Sequence, residues 1–388
     1  MSDNFSVGPN NSFPTVYVLY SSPGFHFPLF LPAFCLGFVS AIGIFLNSSV
    51  CYITWKYWGK YTAFKCKTSV LIAINSFLEV VHQTGHFVFL YVTATGINFI
   101  KASLAFKLEA FSVINSNCVS FMLLTLSIDR VLAVAFPVFP LSDVLRFQSS
   151  TNLPVLPNLF LGELLNRPRA SLLYIQLNFR LYIYLHILSI VLFFIFDIST
   201  LIVSVNEYPD WPVTGYIGDL LISVPSPINT AIILLIILIG SILAHIIVGL
   251  LVKYKGGKVG IDLELCRGSV SVKVEPSDLA NEKIRKLFRS LSLIIIINIG
   301  GYVLFMIGII VAVRVMSKSS PYFWHANIYF SIIENITAAI NAPILYINSS
   351  DYKSAYKKEF GTIKANLIKL KSNLFNLTSQ STTIVQMY

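Results

Sequence analysis

Residues 121–137 read FMLLTLSIDRVLAVAFP, an apolar helical run with an Asp-Arg pair set into it. Charges are costly in hydrocarbon, so the depth of Asp129 and Arg130 decides how the run is read. The apolar segment that contains them extends from Ser103 to Ala135, long enough to cross a bilayer. At 1.5 Å per residue the pair lies about 40 Å from the Ser103 end of that segment. It therefore sits at a membrane mouth, where the charge cost falls and the two neighbours offset each other. A lone Arg there could simply snorkel; an Asp immediately before it fits that reading less well.

The remainder of the chain follows the same pattern. Its 388 residues are 55% hydrophobic and 12% charged, and the mean hydropathy is +0.73. A soluble domain carries about twice that charged fraction. Apolar segments recur at Phe27–Thr54, Thr68–Tyr91, Ser103–Ala135, Leu181–Val205, Ile228–Val252, Leu287–Val313 and Trp324–Ile347. Backbone groups in lipid must bond internally, and the runs show no sustained alternation, so these are helices rather than barrel strands. The fold expected is an all-α membrane protein, a seven-transmembrane-helix bundle, followed by a short amphipathic eighth helix on the inner leaflet. That helix is read from NSSDYKSAYKKEF, where Ser350 can cap, Tyr352, Tyr356 and Phe360 recur every fourth residue, and Lys353, Lys357 and Lys358 lie elsewhere. The organisation is thus an extracellular segment 1–26, a seven-helix domain 27–348, and an amphipathic helix with a disordered cytoplasmic tail over 349–388.

Lys and Arg set the orientation. Of 28 such residues, 24 fall on the side that includes 56–67, the second and third inner connections and the tail. The positive-inside rule makes that side cytoplasmic and leaves the N terminus outside, in a multi-pass protein of the plasma membrane. The sequons at Asn4 and Asn10 are then glycosylation candidates. None of the five cysteines (Cys35, Cys51, Cys66, Cys118, Cys266) falls in an outer segment, so no disulfide framework is expected. Residues 139–179 fit poorly. They hold four prolines and irregular apolar patches in a connection far longer than the others. They are either a loop with its own function or non-coding sequence carried into the chain, and the second reading is preferred.

Polar residues inside the spans mark packing or function. Asn47, Asn75 and Asn115 are read as a helix-packing network. Glu79, His82 and His86 fall within about 60° of one face of span two. With Glu109 and Ser112 of span three and Glu334 of span seven they could line a ligand cavity, or they could bond spans together. Glu-x-x-His with a further His is also competent to bind zinc, but no second constellation on another span supports a metal. His186 and His245 are read as having no companion, and Asp197 as bonding a neighbouring helix. No phosphate loop, no Ser-His-Asp grouping and no cofactor is implied, and the basic balance reflects loop position rather than nucleic acid.

An Asp-Arg at the inner end of span three, Asn47 in IGIFLNSSVCYIT, and Asn341, Pro343 and Tyr346 in INAPILY resemble the rhodopsin-like G-protein-coupled receptors. Within that superfamily IAINSFLEVVHQTGHFVFLY, LSIDRVLAVAFPVF, PVTGYIGDL and NAPILYINSSDYKSAYK look like nematode serpentine chemoreceptors of the srsx class. The resemblance implies that Arg130, balanced by Asp129, restrains the inactive state and then engages a heterotrimeric G protein, while Asn341, Pro343 and Tyr346 form the moving part of span seven. It implies an extracellular small-molecule or peptide ligand and no catalytic residues. Val131 follows the Arg, Ala342 intervenes before Pro343, span six lacks the usual Trp and Pro, and the usual outer disulfide is missing. Span seven has no Lys for a retinal Schiff base, and span three has no Asp in its outer half, which argues against a biogenic amine. The rival functions are a membrane hydrolase with a His-based metal site and a transporter; the chain shows no internal repeat of the kind transporters use.

Overall fold

A computed structural model describes residues 5, 13–61, 64, 67–135, 179–223, 230–255, 277–316 and 320–385. Span one, Phe27–Lys56, shows how the sequence orients a helix in this bundle. Leu29, Ala33, Leu36, Ser40, Gly43, Asn47, Val50 and Thr54 are buried, alternating three and four residues apart along one face. Phe27, Leu31, Phe34, Phe38, Ile42, Phe45 and Tyr52 are exposed on the other. A water-soluble protein could not leave such a stripe bare, whereas acyl chains solvate it.

Span three (Ala102–Ala135) is the hub and packs against span two, span four (Phe179–Glu207), span five (Thr230–Lys255) and span six (Ser277–Val315). Span seven closes the bundle between spans one and six. Among the described residues six helices are long and apolar enough to cross a membrane singly. The other crossing, span two, is made of Lys67–Thr84 and His86–Ala94 in line, interrupted at Gly85. Span seven is also divided, into Pro321–Ala339 and Asn341–Asn348, with the break at Ile340, three residues before Pro343. Pro343 lacks the N–H that would reach back one turn, which ends the regular ladder there. Span six starts about ten residues before its apolar run, because SDLANEKIRKLF contains neither Gly nor Pro to stop the helix.

The end poor in Lys and Arg carries a lid. Residues Ile100–Lys101 (β1) pair antiparallel with Pro212–Val213 (β2) in the register Ile100↔Val213 and Lys101↔Pro212. Ala102 N–H donates to the Trp211 carbonyl at 2.8 Å and Ser103 N–H to the Pro209 carbonyl at 3.0 Å. Lys101 and Asp210 add an ion pair at 2.8 Å. Trp211, Val213, Tyr216, Ile217 and Leu220 then point into the bundle and are buried. These backbone bonds tie the start of span three to the connection after span four. The N-terminal segment is not purely polar coil: Thr15–Tyr20 is helical, with Val16 buried among Leu29, Phe99 and Trp324, and Tyr17 edge-on to Phe99 at 5.0 Å.

At the basic end the helix after span seven runs Ser350–Val385, so the stretch from Ser372 to Val385, expected to be disordered, is helical. With no proline and one glycine between Ser350 and Val385, nothing in the backbone halts it. Its first turns are docked on span one. The Tyr352 hydroxyl meets Thr54 Oγ1 at 3.0 Å, Tyr356 meets Ser49 Oγ at 2.7 Å, and the Glu359 carboxylate accepts from Lys56 Nζ at 2.7 Å and from the Tyr57 hydroxyl at 2.6 Å. Residues 136–178, the sequons at Asn4 and Asn10, and Cys66 and Cys266 lie outside the described residues; Cys35, Cys51 and Cys118 are free thiols.

The Glu359 clamp has a defined pH response. The Lys56 ammonium, and next the Tyr57 hydroxyl, hold the Glu359 carboxyl below its ordinary value. Burial, followed by the bond to Glu359, pushes the Tyr57 phenol up to about 12, so it remains a donor. A depressed carboxylate stabilises the folded form above its unfolded value of about 4.3, and that contribution fades as pH falls through the folded value. The dock should therefore be unchanged from pH 7 to about 4.5 and loosen below that range. Glu359→Gln should loosen it at neutral pH. Spin labels on span one and on the last helix read this as a broadened distance distribution; an unchanged distribution for Glu359→Gln would show that the tyrosines suffice.

Candidate functional site

Asp129 and Arg130 lie at the basic end of span three and are each 2% exposed, with Arg130 Nη2 3.5 Å from Asp129 Oδ2. The surrounding protein, rather than lipid headgroups or open water, covers them. His186 of span four lies in the field of Asp129 and His245 of span five in the field of Arg130. Neither histidine is therefore isolated, a relationship set by helix packing that no spacing within one span could reveal.

Among spans one, six and seven, three asparagines form a linked chain. Asn298 Nδ2 of span six donates to Asn341 Oδ1 at 2.8 Å, Asn341 Nδ2 donates to Asn47 Oδ1 at 3.3 Å, and Asn47 Nδ2 donates to the Ala338 carbonyl at 3.2 Å. All three are buried. Asn341 thus spends its amide on other spans, and the Tyr346 ring packs edge-on against Tyr356 of the docked helix at 6.0 Å. Asn75 is buried, whereas Asn115 donates to Phe111 one turn back in its own helix at 2.6 Å. The link between spans three and four is made by Asn117, which donates to both oxygens of Asp197 at 2.9 Å.

The six residues expected to line a cavity are all buried, none more than 6% exposed. They form two groups and a staple. Glu79 Oε2 lies 3.4 Å from His82 Nδ1, and the His82 and His86 rings stand edge to face at 5.3 Å, so the shared face survives the break at Gly85. Glu334 of span seven lies in the field of both Glu79 and His82, Tyr302 of span six faces Glu79 and Glu334, and Asn335 Nδ2 meets His86 Nε2 at 3.2 Å. Among the described residues no group of three or more His, Cys, Asp or Glu is placed to hold a metal ion. Glu109 stands apart, in the field of Asp219 of the lid. Asp219 accepts from Thr214 N–H at 2.9 Å, Thr214 Oγ1 at 2.7 Å and Trp324 Nε1 at 3.1 Å, joining the lid to span seven. Tyr216 of the lid also bonds Ser331 of span seven through its hydroxyl. Asp219, Trp324, Tyr216, Asn335 and Tyr302 were not singled out from the sequence; the only advance signal was an acid in a loop with no basic residue.

Ser112 is the staple. Its hydroxyl accepts from Gly85 N–H at 3.1 Å and donates to the His82 carbonyl, tying span three to the break in span two, where Gly85 N–H also donates to the His82 carbonyl at 3.3 Å. A methyl group on Gly85 would lie 2.6 Å from Ser112 Cβ and 2.9 Å from Ile217 Cδ1, so only glycine allows span three and the lid to approach this closely.

The arrangement contains no nucleophile held by a base. It offers polar side chains that cross-link spans at both ends of one bundle, which suits transmission better than catalysis. A family model described as serpentine type 7TM GPCR chemoreceptor Srsx matches residues 40–140 and 169–360, well over half of the chain. The stretch between the two matches, 141–168, falls inside the atypical insert. No curated protein matches the chain.

The staple makes a double-substitution prediction. Gly85→Ala should cost about 1–3 kcal/mol by overpacking. Ser112→Gly should cost about 1–2 kcal/mol through its lost bonds. Because Ser112→Gly also frees the space that the new methyl needs, the pair should cost at least about 0.5 kcal/mol less than the sum. Unfolding of the purified protein in lipid nanodiscs measures all three; strict additivity would mean that Ser112 does not fill the break.

Proposed function

The chain belongs to the Srsx family of serpentine seven-transmembrane G-protein-coupled chemoreceptors, and from that premise we propose how its residues divide the work. The basic end faces the cytoplasm of a plasma-membrane receptor and receives a heterotrimeric G protein. The lidded end faces outward and receives the ligand. The Lys/Arg asymmetry supports this orientation. The ligand acts on Glu79, His82, His86, Glu109 and Glu334 beneath the lid, with Ser112 holding the span-two break beside them. A ligand shifts the receptor only through its different affinity for the two states, and residues that bridge the lid to span seven are the ones able to read that difference.

The observation that carries the signalling half is the buried Asp129–Arg130 pair at the mouth. Asp129 balances Arg130 at rest, and parting of spans five and six frees the guanidinium for the G protein. Asn47, Asn298 and Asn341 connect spans one, six and seven, so span seven cannot shift without remaking those bonds. The membrane-hydrolase and transporter readings have no observation in their favour.

Arg130→Ala should reach the cell surface and bind ligand while G-protein activation falls to background. Arg130→Lys should also signal poorly, because Lys keeps the charge but lacks the planar fork. Ligand affinity should fall by no more than the coupling share, about 5- to 150-fold in typical cases. Nucleotide exchange on a co-reconstituted G protein is the measurement, and normal exchange with both variants would remove Arg130 from the mechanism. Because the family match skips residues 141–168, we also expect their deletion to preserve or raise surface expression, read by an N-terminal tag on intact cells; loss of folded receptor would show the segment to be structural.

A further inference from the structure

We propose that the ligand carries a positive charge, an amine or ammonium group, and that Glu109 receives it beneath the lid. The inference rests on the receptor reading and names the ligand class of that site. Glu109 is fully buried in span three, and neither of its carboxylate oxygens has a hydrogen-bond partner among the described residues. A buried carboxylate without a partner is costly, and a group that supplies the missing charge and donors gains what water would otherwise have provided.

The surroundings select a cation. Glu109 lies in the field of Asp219, so an anion entering there would meet two carboxylates. Asp219 is held by three neutral donors, from Thr214 and Trp324, which leaves Glu109 as the acceptor with its full capacity open. The nearest lysine in sequence, Lys107, is exposed and two residues away, about 200° around the helix. Lys101 is engaged by Asp210 on the lid surface. Trp324, which bonds Asp219 through Nε1, stands edge-on to Phe89 at 5.9 Å, and Phe89 lies 5.7 Å from Tyr216, so an aromatic cluster adjoins Asp219, as ammonium recognition favours.

A cation between Glu109 and Asp219 would also have leverage. Span three carries Glu109 toward one end and Arg130 toward the other, while Asp219 is bonded to the head of span seven, whose lower part holds Asn341. Charge bound between the two carboxylates draws the lid and span seven toward span three, and that differs between any two states in which those elements move apart.

The test uses the full chain in lipid nanodiscs at neutral pH. Hexylamine, phenethylamine and tetramethylammonium are compared with hexanol, phenethyl alcohol and hexanoate. At least one cation should raise the unfolding temperature where its neutral and anionic counterparts do not. Glu109→Gln, which keeps the shape and removes the charge, should weaken that cation by about 30-fold or more. Glu109→Asp should retain part of the response. No stabilisation by any of the three cations, equal stabilisation by the neutral compounds, or an undiminished cation response in Glu109→Gln would each overturn the proposal. Should Glu109→Gln fail to fold, the cation-against-neutral comparison on the unsubstituted receptor decides alone. Arg130-dependent basal nucleotide exchange on a G protein, measured without any added probe, reports separately on the receptor reading, which survives if only the amine assignment fails.

Discussion

A polar side chain inside a bilayer has no water to bond, so it must be satisfied by another part of the same protein, and most of this bundle is arranged around that requirement. Asn117 is anchored on Asp197, Asn298 on Asn341, Asn341 on Asn47, and Asn335 on His86. Each of these bonds joins two spans that lipid-like Leu and Phe contacts alone would leave free to slide. Apolar packing gives the helices a place to meet; the polar pairs give them a register. The same requirement explains the Ser112 hydroxyl in the gap at Gly85, where it adds a second bond to an N–H and a carbonyl that the tightened turn joins at 3.3 Å.

The lid solves a different problem. A covalent bond between span three and the connection after span four would hold that connection permanently. Here a two-residue antiparallel ladder, two further backbone bonds, one half-exposed ion pair and a buried Trp211 do the holding. Backbone bonds and partly exposed ion pairs each contribute about 1 kcal/mol, so they make and break far more readily than a disulfide. The lid is also the element that joins Asp219 and Tyr216 to span seven. Its movement is therefore coupled to the span whose other end contacts the docked helix through Tyr346 and Tyr356.

At the basic end the docked helix is fastened chiefly to span one, by Tyr352, Tyr356 and Glu359. Span seven reaches that assembly through the packing of Tyr346, not through a hydrogen bond of its own to span one at that level. The result is a fixed frame of span one with the docked helix and, beside it, a span seven divided at Ile340. A divided helix can re-aim one half without dragging the other, which is the mechanical use of a proline such as Pro343.

Much of this was legible in residues alone. Apolar length fixed where the spans lie, since a stretch must cross about 30 Å of hydrocarbon, and the Asp-Arg pair, Asn47 and the proline of span seven identified the class of bundle. The common face of Glu79, His82 and His86 followed from helical periodicity, which acts within one element. What the residues could not disclose were the relations between elements. His186 and His245 looked companionless and lie in the fields of Asp129 and Arg130. Asn115 looked like a cross-span link and bonds its own helix, while its neighbour Asn117 makes the link. Ser112 looked like a cavity wall and is the staple in the Gly85 break, and Asp219, unremarked in a loop, joins the lid to span seven. The physical reason is one of range: hydrophobic periodicity is written into every turn of a single helix, whereas the partner of a buried polar group is chosen by the rotation and height of another helix, and those are set only when all seven pack together.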